Sequence, residues 1–339
     1  MSDALVVIKN LSNTYRTRAY GVFGRELMQP VLDHITLEIG RGEIFGLVGE
    51  SGCGKTSLGN SILGLIAYEG DIIIDGLRQN RRGRLSRSKA LARKVQAVFQ
   101  DPGAALNPAK TIRWLLEEPL RIHGIGTKQE RIARVDAMLH RIGLDPGYKT
   151  RRVYELSGGQ KQRVCIGCAL MLEPQFIVAD EAVSSLDVSV GAQILNLFQE
   201  LHQSLGLGML FISHNLQVVY YMCHRIGVMY KGQIVELGTA QGVYFHPAHP
   251  YTRILLDPAC EPAGSDTPVQ GPPWAGLYRQ EGCGFVERCP RKRADCGKNA
   301  PGLVNIAPSG EAPHQVRCAL FQDGIPMQGP SKSGRELAV

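Results

Sequence analysis

Ile44-Phe45-Gly46-Leu47-Val48, a short apolar run, leads directly into Gly49-Glu50-Ser51-Gly52-Cys53-Gly54-Lys55-Thr56, and a helix-like stretch from Ser57 to Ile66 follows. The middle segment fits the pattern G-x-x-x-x-G-K-[ST]. Its glycines let the backbone wrap around an anion with N–H groups turned inward, and the helix behind it adds the positive end of its dipole. On this reading Gly49, Glu50, Ser51, Gly52, Cys53, Gly54 and Ser57 line a phosphate site, Lys55 neutralises β- and γ-phosphate charge, and Thr56 offers its hydroxyl to Mg²⁺. A strand–loop–helix unit of this kind belongs to a sheet covered by helices.

Outward from that unit, the runs Ile72 to Ile74, Val95 to Phe99, Phe176 to Ala179 and Met209 to Ile212 alternate with longer helix-like stretches, the pattern of an α/β fold. From about Asn107 to Tyr154 the chain reads as mostly helical, an insertion into that core. Asp257 to Gly276 is dense in proline and glycine and reads as a linker ahead of a small cysteine-bearing tail. The 339 residues, 44% of them hydrophobic, suffice for one large domain and a smaller appendage. No apolar run approaches the roughly 18 residues that a bilayer-crossing helix needs, and Met1 to Asn10 lacks the pattern of a secretion signal. A soluble, cytoplasmic chain is therefore expected. The net charge of +7 permits contact with anionic surfaces without requiring it. The densest basic stretch, Arg78, Arg81, Arg82, Arg84, Arg87, Lys89, Arg93 and Lys94, carries no interleaved aromatic. It reads as a solvated face, and no nucleic-acid partner is expected.

Two further constellations carry chemistry. The apolar run Phe176 to Ala179 ends in Asp180-Glu181, carboxylates at the sheet edge where α/β proteins bind ligands. Asp180 suits Mg²⁺, and Glu181 suits polarising an attacking water. Leu156-Ser157-Gly158-Gly159-Gln160 precedes the helix-like Lys161 to Leu172, a second helix start suited to an anion.

In this order, the motifs resemble the ABC ATPase family, whose signature is L-S-G-G-Q. The resemblance implies a P-loop NTPase core within residues 1–256, with an antiparallel β-subdomain and a helical subdomain at about 101–165. It implies hydrolysis of ATP with Mg²⁺ in a sandwich dimer, where Leu156, Ser157, Gly158, Gly159 and Gln160 reach the γ-phosphate of ATP held by a partner subunit. It also implies that Gln100 touches Mg²⁺ and senses a transmembrane partner, that Asp187 in Ser185-Leu186-Asp187 communicates across the dimer, and that His214 contacts the γ-phosphate. Tyr15 becomes the candidate for stacking on adenine, with Tyr20 and Phe23 as alternatives within the long spacer Arg16 to Pro30. Two positions depart from the family pattern: Ala182-Val183 stand where Pro-Thr is common, and Cys168 stands where arginine is usual. Neither removes a catalytic group. Cys165 and Cys168, three residues apart on a helix, read as small packing residues rather than a redox pair.

Phe99-Gln100-Asp101-Pro102, Leu106-Asn107-Pro108 and Glu118-Pro119-Leu120 resemble the subunits serving oligopeptide, dipeptide and nickel importers. His249-Pro250-Tyr251-Thr252 is similar to the entry of that group's C-terminal extension, which with its linker would occupy 257–339. Cys283-Gly284-Phe285-Val286-Glu287-Arg288-Cys289-Pro290 with Cys296 resembles its cysteine motif, and Cys318 completes a set of four. Irregular spacings suit a [4Fe–4S] cluster, whereas structural zinc favours tighter C-x₂₋₄-C pairs. A cluster is the favoured reading, with zinc or reduced free thiols as the alternatives, and Cys260 in the linker is not expected to be a ligand. The implied partners are a second ATPase subunit, identical or paralogous, two transmembrane permeases at the cytoplasmic face of the membrane, and indirectly an extracytoplasmic substrate-binding protein. Other classes fit less well. A soluble ABC ATPase acting on ribosomes or DNA would need tandem domains or a coiled-coil insertion, and a nucleotide-regulated metal or redox sensor would not need both Glu181 and His214.

Overall fold

A computed structural model of the chain describes residues 4–18, 26–79, 88–257 and 282–322. Tyr20, Phe23, Arg81, Arg82, Arg84, Arg87 and Cys260 lie outside them. Two sheets organise the described residues. Strands β1 (Ala4–Arg18), β2 (Glu26–Gly40), β4 (Glu69–Ile74) and β5 (Leu77–Arg78) pair antiparallel in the order β2-β1-β4-β5. The larger sheet has the order β11-β12-β10-β9-β3-β8-β7-β6. It contains β3 (Ile44–Val48), β6 (Val95–Val98), β7 (Phe176–Asp180), β8 (Gly208–Ser213), β9 (Arg225–Tyr230), β10 (Gln233–Thr239), β11 (Val304–Asn305) and β12 (Gln315–Val316). From β9 to β6 its strands run parallel.

Alternation along each strand sorts side chains to opposite faces of the sheet. Phe45, Leu47, Phe176, Val178, Leu210 and Ile212 face one core, shared with the antiparallel sheet and with Leu58 and Ile62 of α1 (Lys55–Ile62). Ile44, Val48, Ile177, Ala179, Met209 and Phe211 face the other. That second core is filled by α4 (Ile112–Ile122), α5 (Lys128–Arg141), α6 (Gly158–Leu170), α7 (Val188–Leu205) and α8 (Leu216–Met222), with Leu116, Leu139, Val164, Phe198 and Val219 buried in it. Each fully buried Leu, Ile or Phe of this kind contributes about 1.5–3 kcal/mol. The central sheet is thus apolar on both faces, which is why its strands read as continuous apolar runs.

The helical region starts where polar caps precede apolar periodicity. The Thr111 hydroxyl accepts from the Trp114 amide at the start of α4, and Thr127 forms a reciprocal capping box with Glu130 at the start of α5. Short helices α2 (Lys89–Lys94), α3 (Pro102–Ala105), α9 (Ala240–Phe245) and α10 (Pro250–Leu256) complete the set.

Two features differ from the expectation. The segment Arg16 to Pro30 is not simply a spacer, because Arg16 pairs with Met28 and Arg18 with Glu26 as a continuation of the β1–β2 ladder. The cysteine-bearing tail is not simply appended, because β12 hydrogen-bonds along β10, with Val316 opposite Glu236, and extends the main sheet. Among the described residues no helix is long and apolar enough to cross a membrane.

Candidate functional site

The parallel strands deliver the sequence motifs to one edge. Gly49 follows β3, Asp180 ends β7 with Glu181 just beyond, His214 follows β8 and Gln100 lies two residues past β6. In the register of neighbouring strands Val48 pairs with Ser213 and Asp180 with Ile212, so residues distant in sequence meet at the carboxyl ends, where open α/β sheets bind ligands.

The glycine-rich loop is fixed from several sides. Gly54 takes φ of 111° at the N-cap of α1, where no side chain occupies the helix's first amides, leaving them to an anion. Gly49 admits no larger residue, since a Cβ there would stand 2.2 Å from the Met229 carbonyl oxygen. The Gly232 amide donates to the Cys53 carbonyl at 2.8 Å. Lys55 is buried, and its ammonium donates to the carbonyls of Gly49 and Glu50 at 2.7 and 3.0 Å. That geometry holds the positive charge at the mouth of the loop. Ser51, Gly52 and Thr56 are exposed there, while Cys53 is buried and Ser57 half-buried. Desolvation pushes the Cys53 thiol up, partly offset by Lys55.

Asp180 and Glu181 differ in their environments. Burial raises the Asp180 pKa, partly offset by a hydrogen bond from Thr56, with the Glu181 carboxylate adding to the rise and Lys55 opposing it. Asp180 Oδ1 is buried without a hydrogen-bond partner, so this carboxylate has capacity for a cation. With the Thr56 hydroxyl beside it, the donor set is hard oxygen, which fits Mg²⁺. Glu181 has a left-handed backbone, φ of 47°, and its amide donates to the Ile212 carbonyl at 3.0 Å. A non-glycine residue in that region costs energy and marks sites where a side chain must be aimed. The Glu181 carboxylate lies 3.6 Å from His214 Nδ1, with His214 more than half exposed and Glu181 mostly covered. A covered carboxylate facing an exposed imidazole can hold a water between protein and phosphate.

Gln100 is exposed, and its carbonyl accepts from the Ser185 hydroxyl at 3.4 Å, which ties the ends of β6 and β7 together. Asp187 caps α7, accepting from the Val190 amide and the Ser189 hydroxyl, each at 2.9 Å; these bonds hold its carboxyl below the usual range. Leu156 is buried, and Ser157 caps α6 through a reciprocal box with Gln160. Ser157 and Gly158 are exposed, and Gly159 packs so closely on Val190 that a Cβ would lie 2.4 Å away. The signature and Asp187 segments therefore adjoin and face outward. Tyr15 is 40% exposed and pairs with Gln29, two residues before Val31, whose carbonyl abuts Gly54. Cys165 and Cys168 sit in the helical core, and burial raises both thiols, Cys165 to about 12, so neither supplies a thiolate.

Sequence reasoning missed the other wall of this site. Tyr251, fully buried, accepts at its hydroxyl from the Glu50 amide at 2.8 Å. Arg288 reaches Glu50 with two parallel bonds, 2.8 and 2.9 Å. Tyr251 was legible only as a family marker, and Arg288 only as a residue between cysteines. In the tail the four thiols Cys283, Cys289, Cys296 and Cys318 lie within electrostatic reach of one another. Burial raises Cys283, Cys289 and Cys318, the last to about 11, against backbone N–H bonds from Phe285, Arg291 and Leu320 respectively. The Arg293 amide donates to Cys296 Sγ at 3.4 Å. Among the described residues no three His, Cys, Asp or Glu side chains are placed to hold a metal ion.

Comparison with known proteins agrees with this geometry. Residues 32–184 match the family described as ABC transporter, and 235–296 match "Oligopeptide/dipeptide transporter, C-terminal region". A Brucella ovis protein bearing the name "Putative peptide import ATP-binding protein" is 43% identical over 90% of this chain and 95% of its own length. A Brucella abortus protein of the same designation is 43% identical over 88% and 89%. Among solved structures, cbiO1 from Clostridium perfringens, part of the ABC transporter complex cbiONQ, superposes with a TM-score of 0.61 at 25% identity, covering 76% of this chain and 97% of that one. The ATP-binding cassette MJ0796, a dimer in a post-hydrolysis state bound to ADP and Pi, gives 0.60 at 28% identity, covering 70% and 99%. The chain belongs to the ABC transporter family, as an ATP-binding and ATP-hydrolysing subunit.

Proposed function

We propose that this chain is one half of an ATPase dimer, peripheral to the cytoplasmic face of the membrane, that drives a peptide importer. The observation that carries the hydrolytic part is the pairing of Glu181 with His214 at the carboxyl edge of the sheet that also bears the glycine-rich loop. In this reading the loop from Gly49 to Ser57 cradles the phosphates, Lys55 neutralises their charge, and Tyr15 stacks on adenine. Thr56, Gln100 and Asp180 would hold Mg²⁺, which when bound would neutralise phosphate charge. Glu181 orients a water; as its oxygen bonds to the γ-phosphorus and the β–γ bridging bond breaks, the carboxylate takes the proton. His214 steadies both the carboxylate and the γ-phosphate. Leu156 to Gln160 complete the site of the second subunit, and Asp187 relays its state. Two permeases dock on the dimer, and a substrate-binding protein delivers cargo from outside. The relatives carry peptide-import names, which favours peptides over the nickel that the sequence resemblance also implies. Residues 1–256 form the ATPase domain, with the extension in 257–339.

The same proposal assigns Cys283, Cys289, Cys296 and Cys318 to a [4Fe–4S] cluster. What supports this reading is the number of thiols, four that interact electrostatically with one another, which is the ligand count such a cluster takes. Bound there, it would pin the fold of the tail. Anaerobically purified protein lacking iron and acid-labile sulfide would reject this assignment.

Replacing Glu181→Gln removes the proton acceptor and leaves the phosphate loop intact. ATP binding is expected to persist while turnover falls by about 100-fold or more. Near-normal phosphate release by the variant, assayed in the intact complex, would reject the role given to Glu181.

A further inference from the structure

The tail loop Cys283 to Cys289 touches the phosphate loop at Glu50. Glu50 is engaged at every polar group it has. Its amide donates to Tyr251, its carbonyl accepts from Lys55, and both carboxylate oxygens accept from Arg288. Arg288 is itself held in place. Its guanidinium lies within electrostatic reach of the Tyr230 hydroxyl and over the Phe285 ring at 5.7 Å. Phe285, only 1% exposed, is enclosed by Tyr230, Tyr251 and His249, with ring centroids 5.2, 5.4 and 5.7 Å away. Tyr230 ends β9 and Tyr251 lies in the first turn of α10, so this aromatic box joins the sheet, the extension and the loop.

We infer that Arg288 is a positioning residue for nucleotide binding: the Cys283–Cys289 loop, anchored by Phe285, grips Glu50 and sets the phosphate loop for its ligand. The physical basis is preorganisation. A two-bond Arg–carboxylate contact fixes orientation as well as distance, and a loop already in its bound shape loses less conformational freedom when phosphate arrives. The carboxylate is 42% and the guanidinium 27% exposed, so the pair does little for global stability. Its effect lies in where it holds the loop. Coupling of this sort is reciprocal. Nucleotide must therefore order the tail loop as strongly as the tail loop favours nucleotide, whatever the thiols hold.

The test uses Mg·ADP and the full chain. Binding is measured by calorimetry for wild type, Arg288→Ala, Glu50→Ala and the double variant. Hydrogen exchange is followed in the peptide spanning 283–289 with and without Mg·ADP. Each single substitution is expected to weaken Mg·ADP on the order of 10-fold, and the double to weaken it no more than the worse single. Arg288→Lys is expected to recover part of the loss, since it keeps the charge and forfeits the fork. Mg·ADP is expected to slow exchange across 283–289 in wild type and to leave it unchanged in Arg288→Ala. Unaltered affinity in Arg288→Ala, additive losses in the double variant, or no nucleotide-dependent exchange in the wild-type tail loop would each overturn the inference. Should Arg288→Ala unfold the tail, Glu50→Gln leaves the tail sequence intact and must give the same weakening and the same loss of exchange protection.

Discussion

Asp180 and Glu181 are neighbours with the same functional group, and only their surroundings separate them. Burial raises the Asp180 pKa, and a protonated carboxyl cannot ligate a cation. The affinity of the site for Mg·ATP is therefore expected to fall with decreasing pH from above the ordinary carboxylate range, and Asp180→Asn to weaken it at neutral pH by about 10-fold or more. Titration of the Mg²⁺ dependence of nucleotide binding at several pH values checks this; a flat profile would remove Asp180 from the metal site. Gly49 supplies a steric test. A methyl at that position meets the Met229 carbonyl oxygen at 2.2 Å, so Gly49→Ala must displace the loop or β9, and nucleotide binding should be lost with the fold largely retained. The grouping of the motif residues at one sheet edge was legible from type and spacing, because each follows an apolar strand run. Arg288 and Tyr251 were not, because an arginine and a tyrosine acquire their function here only from the loop they touch.

Elements divided in the same way. The central strands were legible as apolar runs because they are buried on both faces, and α4 and α5 through their threonine caps. β1 and β2 were hidden, since one face of each meets solvent and register shifts interrupt their alternation between Ile8 and Thr14. β9 and β10 went unread, although Lys231-Gly232 between them has the positive φ of a tight turn. α10 offers a test at this scale. His249, its N-cap, is buried, and its Nδ1 accepts from the Tyr251 amide at 3.1 Å. Desolvation depresses its pKa to about 4, against an opposing pull from Glu236, whose carboxylate accepts from the Ala248 and His249 amides. An unfolded histidine takes up its proton near 6.5, so between there and about 4 the unfolded chain binds more protons than the folded one. Stability is thus fully present above pH 6.5 and declines as pH falls through 4, by on the order of 3 kcal/mol. Urea unfolding at pH 7.5 and 4.5 should show it, and His249→Asn, which keeps a capping acceptor that does not titrate, should reduce the difference.

In the whole molecule the tail closes the edge of the main sheet. β12 covers β10, while Ala248, Val316 and Cys318 form a small core beneath it. A chain ending at Asp257 would lose that partner and the Phe285 anchor. Removing one buried phenylalanine costs about 3–5 kcal/mol, so melting is expected to drop by about 10 °C, and an open β10 edge invites association. A truncated chain as stable and monodisperse as the full one, by thermal melting and size exclusion, would contradict this account. Sequence by itself determined the family, and with it the hydrolysis of ATP, and the helices α4 and α5, since phosphate-loop and signature spacing and helix caps are local patterns. Only the tertiary structure decided that Glu181 faces His214, that the tail is a strand of the ATPase sheet, and that Arg288 holds Glu50 across 238 residues of chain. Such contacts depend on packing and on the register of parallel strands, which no local pattern encodes.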